Sequence, residues 1–292
     1  MDRTALLCGL SAALLLAGCT RSHHLVVGSK NFTEQLVLGE IIAQHIEDRL
    51  HQPVDRKLDL GGTLLAHQAL LAKDIDMYPE YTGTAFTNVL KLTGVNDPAV
   101  VLQRVQTEYA ARFHVDWLDP LGFDSSFAMT VRGSDARSRH LATLSDAAAD
   151  RNGFALGAGY EFLTRPDGLA ALNSAYSIHW TAPPKSMDLG LLYQALTAKQ
   201  VSMAAANTTD GLLSKLDVKV LADDKHAFPP YQACIAVRSD TLTAYPGLRA
   251  ALTELSGKIS AAAMQKMNYA VDVEHRPVPD VAKEFLRTAG LR

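Results

Sequence analysis

Apolar and polar positions along the chain alternate between two periods. Residues 25–29 (Leu25-Val26-Val27-Gly28-Ser29) form a short apolar run closed by small residues, which predicts a β-strand. Over 33–50 the period becomes helical: Leu36, Ile41, Ile42, His45, Ile46 and Arg49 lean to one side, and Glu34, Glu40, Glu47 and Asp48 supply charge. Asn31 or Thr33 can cap this helix, and Glu34 suits its first turn. The alternation over 54–60 predicts a strand, Gly61-Gly62 a turn, and 63–73 a second helix. Asp76-Met77-Tyr78 reads as a strand and 82–90 as a helix.

The rhythm returns further along. Strands are predicted at 127–132, 154–158, 201–206 and 219–221, and helices at 144–150, 166–176 and 187–199. The tail, 242–292, reads as mostly helical, with breaks at Gly257 and at Pro277 and Pro279. Alternating strand and helix implies an α/β fold with largely parallel sheets. Two such halves in one chain suggest two lobes with a cleft between them. The crossings are expected near 126–129 and 231–235. Lobe 1 then takes 25–127 and 233–292, and lobe 2 takes 128–232.

The first residues read differently. Arg3 is followed by an almost wholly apolar stretch to Ala17, too short for a stable membrane span and of signal-peptide character. Leu16-Ala17-Gly18-Cys19 resembles a bacterial lipobox, which implies a signal peptide over 1–18, lipidation of Cys19 and a tail over 19–24. Cys8 would leave with the leader, and Cys234, flanked by Ala233 and Ile235-Ala236-Val237, reads as a core residue rather than a nucleophile. The formal net charge of −3 and the lack of a dense basic run give no reason to expect a nucleic-acid partner.

Enzyme signatures are missing. Gly-x-Ser-x-Gly, His-Glu-x-x-His and the phosphate-binding Gly-x-x-x-x-Gly-Lys-Ser/Thr pattern do not occur. Asp74, Asp76 and Glu80 fall close together, but their spacing does not fit an EF-hand loop, and Pro79 stands at the glycine position. A solvated helix end serves as well for Asp74. Tyr78 reads as core, and Glu80 as a surface, capping or cation-attracting group. No cofactor or metal is expected, and a secreted Ser/His/Asp hydrolase remains a remote alternative without a motif.

Six blocks, in order, carry a resemblance. They are Gly28-Ser29-Lys30-Asn31-Phe32-Thr33-Glu34-Gln35, Gly61-Gly62-Thr63, Glu80-Tyr81-Thr82-Gly83-Thr84, Arg165-Pro166-Asp167-Gly168, Thr208-Thr209-Asp210 and Pro229-Pro230-Tyr231. Together they resemble the substrate-binding proteins of osmoprotectant ABC transporters, over nearly the whole chain after the leader. The resemblance implies a two-lobed periplasmic-binding-protein fold of the type with two crossing strands. It implies a monomer in the periplasm or cell envelope, anchored through Cys19, delivering a quaternary-ammonium solute such as glycine betaine, choline or carnitine to a membrane permease and its ATPase.

It also implies a site. Tyr81, Phe127 and Tyr231 match ring positions of an aromatic cage, Phe127 replacing a tyrosine frequent in relatives. Lys30, Thr84 and Arg165 match positions for the ligand's carboxylate, with Gly83 as a tight turn. Asn207 stands where relatives often carry another ring, so one wall is opened and made polar. That opening suits a larger betaine such as ergothioneine, or a non-betaine amine or amino acid. Tyr160 is a conceivable substitute wall, though an ordinary surface or buried tyrosine is the simpler reading.

Overall fold

The computed structural model describes residues 24–292, so the leader and Cys19 lie outside the described residues. Strand β1 (Leu25–Gly28) is wholly buried, as a continuous apolar run predicts. It pairs in parallel with β2 (Val54–Lys57) and β3 (Met77–Tyr81). β4 (Val115–Trp117) lies at the far side. The sheet is completed by a strand from much later in the chain, β10 (Ala233–Arg238), inserted antiparallel between β3 and β4.

The second sheet repeats the plan. β5 (Phe127–Arg132), β6 (Leu156–Ala158), β7 (Lys185–Ser186), β8 (Met203–Asn207) and β9 (Val218–Val220) take the order β7-β6-β8-β5-β9. β6 is parallel to β7 and β8, whereas β5 is antiparallel to β8 and β9. Each sheet is therefore mixed, not largely parallel: a strand that enters from the other half of the chain runs against its neighbours. The segments between β4 and β5 and between β9 and β10 carry the chain across and back, and they meet at the antiparallel bridge Asp124–Gln232.

The helix Thr33–Leu50 runs over the length its periodicity predicts. From Val37 to Ile46 it is buried on every side, because strands of the first sheet pack on one face and the C-terminal helices Leu248–Thr253, Ala261–Asp272 and Val278–Thr288 cover the other, so the one-sided pattern expected from the sequence gives way to full burial. The helix Pro98–Phe113 and β4 are not among the elements predicted above. Their signal was present: Asp97 accepts from Val100 N at 3.0 Å, with proline at the first helical position. The helix expected over 82–90 is one turn, Thr82–Thr84, followed by a wide turn over Ala85–Val89. The helix expected over 166–176 is kinked at Gly168 (φ −98°, ψ −123°). Cys234 is buried in β10, and burial pushes its thiol up and away from nucleophilic chemistry. None of the helices in the described residues is long and apolar enough to cross a membrane.

Asp76, just before β3, is buried and has a structural task. Its carboxylate accepts from Val26 N at 2.7 Å and Thr241 Oγ1 at 3.1 Å, and lies 3.3 Å from Arg238 Nη1. It thus ties β1 to β10 and the helix that follows β10. Asp76→Ala leaves the buried Val26 N–H and Thr241 hydroxyl without their acceptor, while the partly buried Arg238 keeps Asp240 at 2.9 Å, so we expect a loss of about 1–3 kcal/mol, read as a lowered midpoint in urea unfolding.

Candidate ligand-binding cleft

The carboxyl ends of β1 and β3 open toward the second lobe, the position at which α/β sheets present their ligand-binding residues. β1 delivers Lys30. Its ammonium lies 2.6 Å from Glu80 Oε1, with both side chains buried. The same Nζ stands 4.6 Å from the ring centre of Tyr81 and 5.7 Å from that of Phe32, and the two rings stack at 6.4 Å. Tyr81 OH donates to Glu34 Oε1 at 2.6 Å, and Asn268 Nδ2 donates to Glu34 Oε2 at 3.2 Å. Burial, followed by the Glu34 charge, raises the Tyr81 phenol far above its ordinary value, so it stays a neutral donor.

A second cluster forms around Arg165. Its Nε donates to Asp167 Oδ1 at 2.9 Å and its Nη2 to Asp167 Oδ2 at 2.5 Å, a forked pair with both side chains buried. Burial works against both charges, and the mutual attraction more than offsets it: Arg165 is held charged and Asp167 is held below the usual carboxylate range. Arg165 Nη2 also donates to Thr84 Oγ1 across the cleft at 3.1 Å. The guanidinium carbon lies 5.4 Å from the Phe127 ring centre and 5.9 Å from that of Tyr231. Tyr231 OH donates to Asp167 Oδ2 at 2.7 Å. Phe127 meets Phe162, Phe228 and Tyr231 edge to face at 4.8, 5.3 and 5.5 Å.

Six of the seven ligand residues expected from the sequence therefore fall into two neighbouring clusters, Lys30 with Tyr81, and Thr84 with Phe127, Arg165 and Tyr231. The seventh, Asn207, ends β8 directly opposite Phe127 in the β5–β8 register. It is half-buried, and its side-chain amide makes no hydrogen bond among the described residues. Gly83 does not make the expected tight turn; it lies within the turn of helix. Its role is close approach, because a Cβ there would stand 2.6 Å from Pro230 O and 2.8 Å from Tyr231 Cδ1. Glu80 is buried rather than at the surface, Tyr78 is core, and Tyr160 is 72% exposed and forms no wall.

Four residues join these clusters beyond those expected from the sequence: Phe32, Glu34, Glu161 and Asp167. Phe32, Glu34 and Asp167 lie inside the sequence blocks, so the blocks themselves were the available signal. Glu161 reaches across to Thr63. Burial raises its pKa, but the Lys30 and Arg165 charges and the Thr63 bonds pull it down further, leaving it below its ordinary value. No group of three or more His, Cys, Asp and Glu among the described residues is placed to hold a metal ion.

Residues 23–288 match the family described as the substrate-binding domain of ABC-type glycine betaine transport systems. The chain belongs to that family. It is a substrate-binding protein of this kind and not an enzyme. A protein of Helicobacter pylori named as an ergothioneine transport permease and ergothioneine-binding protein is 36% identical over 91% of the chain. The chain spans about half of that relative, 48% of its length. A carnitine transport binding protein of Listeria monocytogenes is 32% identical over 95% of the chain and 93% of its own length. A solved structure described as a glycine betaine/carnitine/choline ABC transporter superposes with a TM-score of 0.77 at 29% identity, covering 91% of the chain and 99% of its own.

A titrating group lies beside the cleft. Asp210 accepts from Asn207 N and from Tyr193 OH, both at 3.0 Å, and burial raises its pKa from 3.8 to about 6. The native state then binds the proton more tightly than the unfolded chain. The associated stability is complete below pH 3.8 and is lost as pH rises through about 6. The shift corresponds to about 3 kcal/mol. Asp210→Asn removes this dependence: the difference in unfolding free energy between Asp210→Asn and the wild type should grow in favour of the variant from pH 4 to pH 7. A flat difference contradicts the assignment.

Proposed function

We propose that the protein is the extracytoplasmic receptor of an ABC importer for a quaternary-ammonium solute, held in a cage of Tyr81, Phe127 and Tyr231 between the lobes. One observation carries this reading. The faces of these rings in the cleft are already turned to cations, Lys30 over Tyr81 and Arg165 near Phe127 and Tyr231. A trimethylammonium group has no N–H to donate, so a hydrogen-bonding site cannot capture it. Ring faces offer it negative potential and apolar contact together, roughly 0.5–2 kcal/mol each. Three rings supply several kcal/mol toward the roughly −8 kcal/mol of micromolar binding, after ordering costs.

In this reading the ligand's ammonium takes the place of the Lys30 ammonium over Tyr81. Lys30, Arg165 and Thr84 then turn to its carboxylate. Arg165 and Thr84 come from opposite sides of the cleft, so one carboxylate bridges both and favours closure. Membrane delivery falls to a permease and an ATPase, and Cys19 is the lipid anchor at the cell envelope. The protein acts as a monomer.

Among betaines, the free amide of Asn207 opposite Phe127 favours a solute with a polar body beyond the trimethylammonium group. The Helicobacter relative named for ergothioneine supports this choice over glycine betaine. Calorimetry against glycine betaine, choline, carnitine and ergothioneine tests both levels. Tyr81→Ala and Tyr231→Ala are each expected to weaken the best ligand by at least roughly 5- to 30-fold. Unchanged affinity in both variants rules the cage out. Asn207→Tyr should strengthen glycine betaine by a similar factor and weaken the larger betaine. No change in either ligand removes residue 207 from the site.

A further inference from the structure

Glu161 is the second residue of the short helix Tyr160–Thr164, yet its carboxylate is bonded into the opposite lobe. Its Oε1 accepts from Thr63 N at 2.7 Å and its Oε2 from Thr63 Oγ1 at 3.1 Å. Thr63 opens the nine-residue helix Thr63–Leu71, whose N-cap residue, Gly62, brings no side chain of its own. The first N–H groups of a helix have no intrahelical acceptor, and a carboxylate is the group that best satisfies them. We propose that Glu161 is an interlobe helix cap: closure of the lobes brings its carboxylate onto the uncapped helix of lobe 1, and that bond sets how tightly the closed form retains its ligand.

Gly62 is explained by the same contact. Its backbone (φ −77°, ψ −178°) is one that any residue adopts, so glycine is not needed for the turn. A Cβ would instead stand 2.2 Å from Glu161 Oε1, and the next two nearest atoms, at 3.1 and 3.6 Å, are also of Glu161. The missing side chain makes room for a carboxylate from the other lobe. Glu161 also faces Arg165, Oε2 lying 3.4 Å from Nη1, while the same guanidinium donates to Thr84 Oγ1. The cap and the Arg165 bridge are therefore made or broken together. Glu161 is a positioning residue here, acting through closure rather than by touching the solute, and its effect on affinity rests on the ligand reading above.

A double-mutant cycle tests the cap, with Glu161→Ala, Gly62→Ala and the pair measured by calorimetry against the same four compounds. Each single substitution is expected to weaken binding by roughly 2- to 30-fold, the range for loss of a helix cap. Gly62→Ala should cost nothing further once Glu161 is alanine, because its clash partner is gone. An equal loss from Gly62→Ala in both backgrounds, or full affinity in Glu161→Ala, overturns the proposal. If none of the compounds binds the wild type, the ligand reading fails, and small-angle scattering still decides on the cap. A smaller radius of gyration for the unliganded wild type than for both single variants supports it, and identical radii overturn it.

Discussion

Two cations lie buried at the floor of the cleft, each held by a carboxylate of its own lobe or crossing segment. Lys30 has Glu80, and Arg165 has Asp167. Removing either carboxylate would strand a charge in a low-dielectric interior, so these pairs fix the local geometry with little tolerance. The aromatic rings are arranged around the pairs rather than apart from them. Tyr231 donates to Asp167, and Tyr81 lends its amide N–H to Glu80 at 2.7 Å. Ring orientation and charge placement are thus a single constraint.

The proposed recognition by lobe closure follows from the same placement. The side chains proposed to recognise a solute are distributed over segments far apart in the chain. Closed, those segments exchange hydrogen bonds: Arg165 with Thr84, Glu161 with Thr63, Asn268 with Thr209 O at 3.0 Å. Such bonds form only when both sides are present, so a ligand that prefers the closed arrangement shifts the population toward it. The antiparallel entry of β5 and β10 into their sheets provides the two connections about which such motion can occur.

Much of the fold was legible from periodicity. The 33–50 helix, the apolar strand β1 and the repeated strand–helix rhythm each depend on local spacing, which side-chain burial enforces. What periodicity missed has a consistent character. Antiparallel insertion of β10 between β3 and β4 is a choice of partner, and a strand's own residues do not encode which neighbour it meets. The wide turn over Ala85–Val89 and the kink at Gly168 are breaks in hydrogen bonding within segments whose apolar spacing still reads as helix. The Pro98–Phe113 helix does have a local signal, the capping side chain of Asp97 and the proline at its first position.

For the proposed site, the sequence by itself supplied the candidates: a lysine after the first strand, tyrosines at 81 and 231, a phenylalanine at 127, an arginine at 165, an asparagine at 207. It also determined the family, since six ordered blocks leave little room for coincidence. Only the tertiary structure decided who faces whom. That Glu80 is buried against Lys30, that Asp167 forks onto Arg165, and that Glu161 crosses to Thr63 are facts about distances between residues 50, 2 and 98 positions apart. The physical reason is that local sequence sets backbone conformation and burial, whereas the pairing of buried charges is settled by which surfaces the folded lobes bring together.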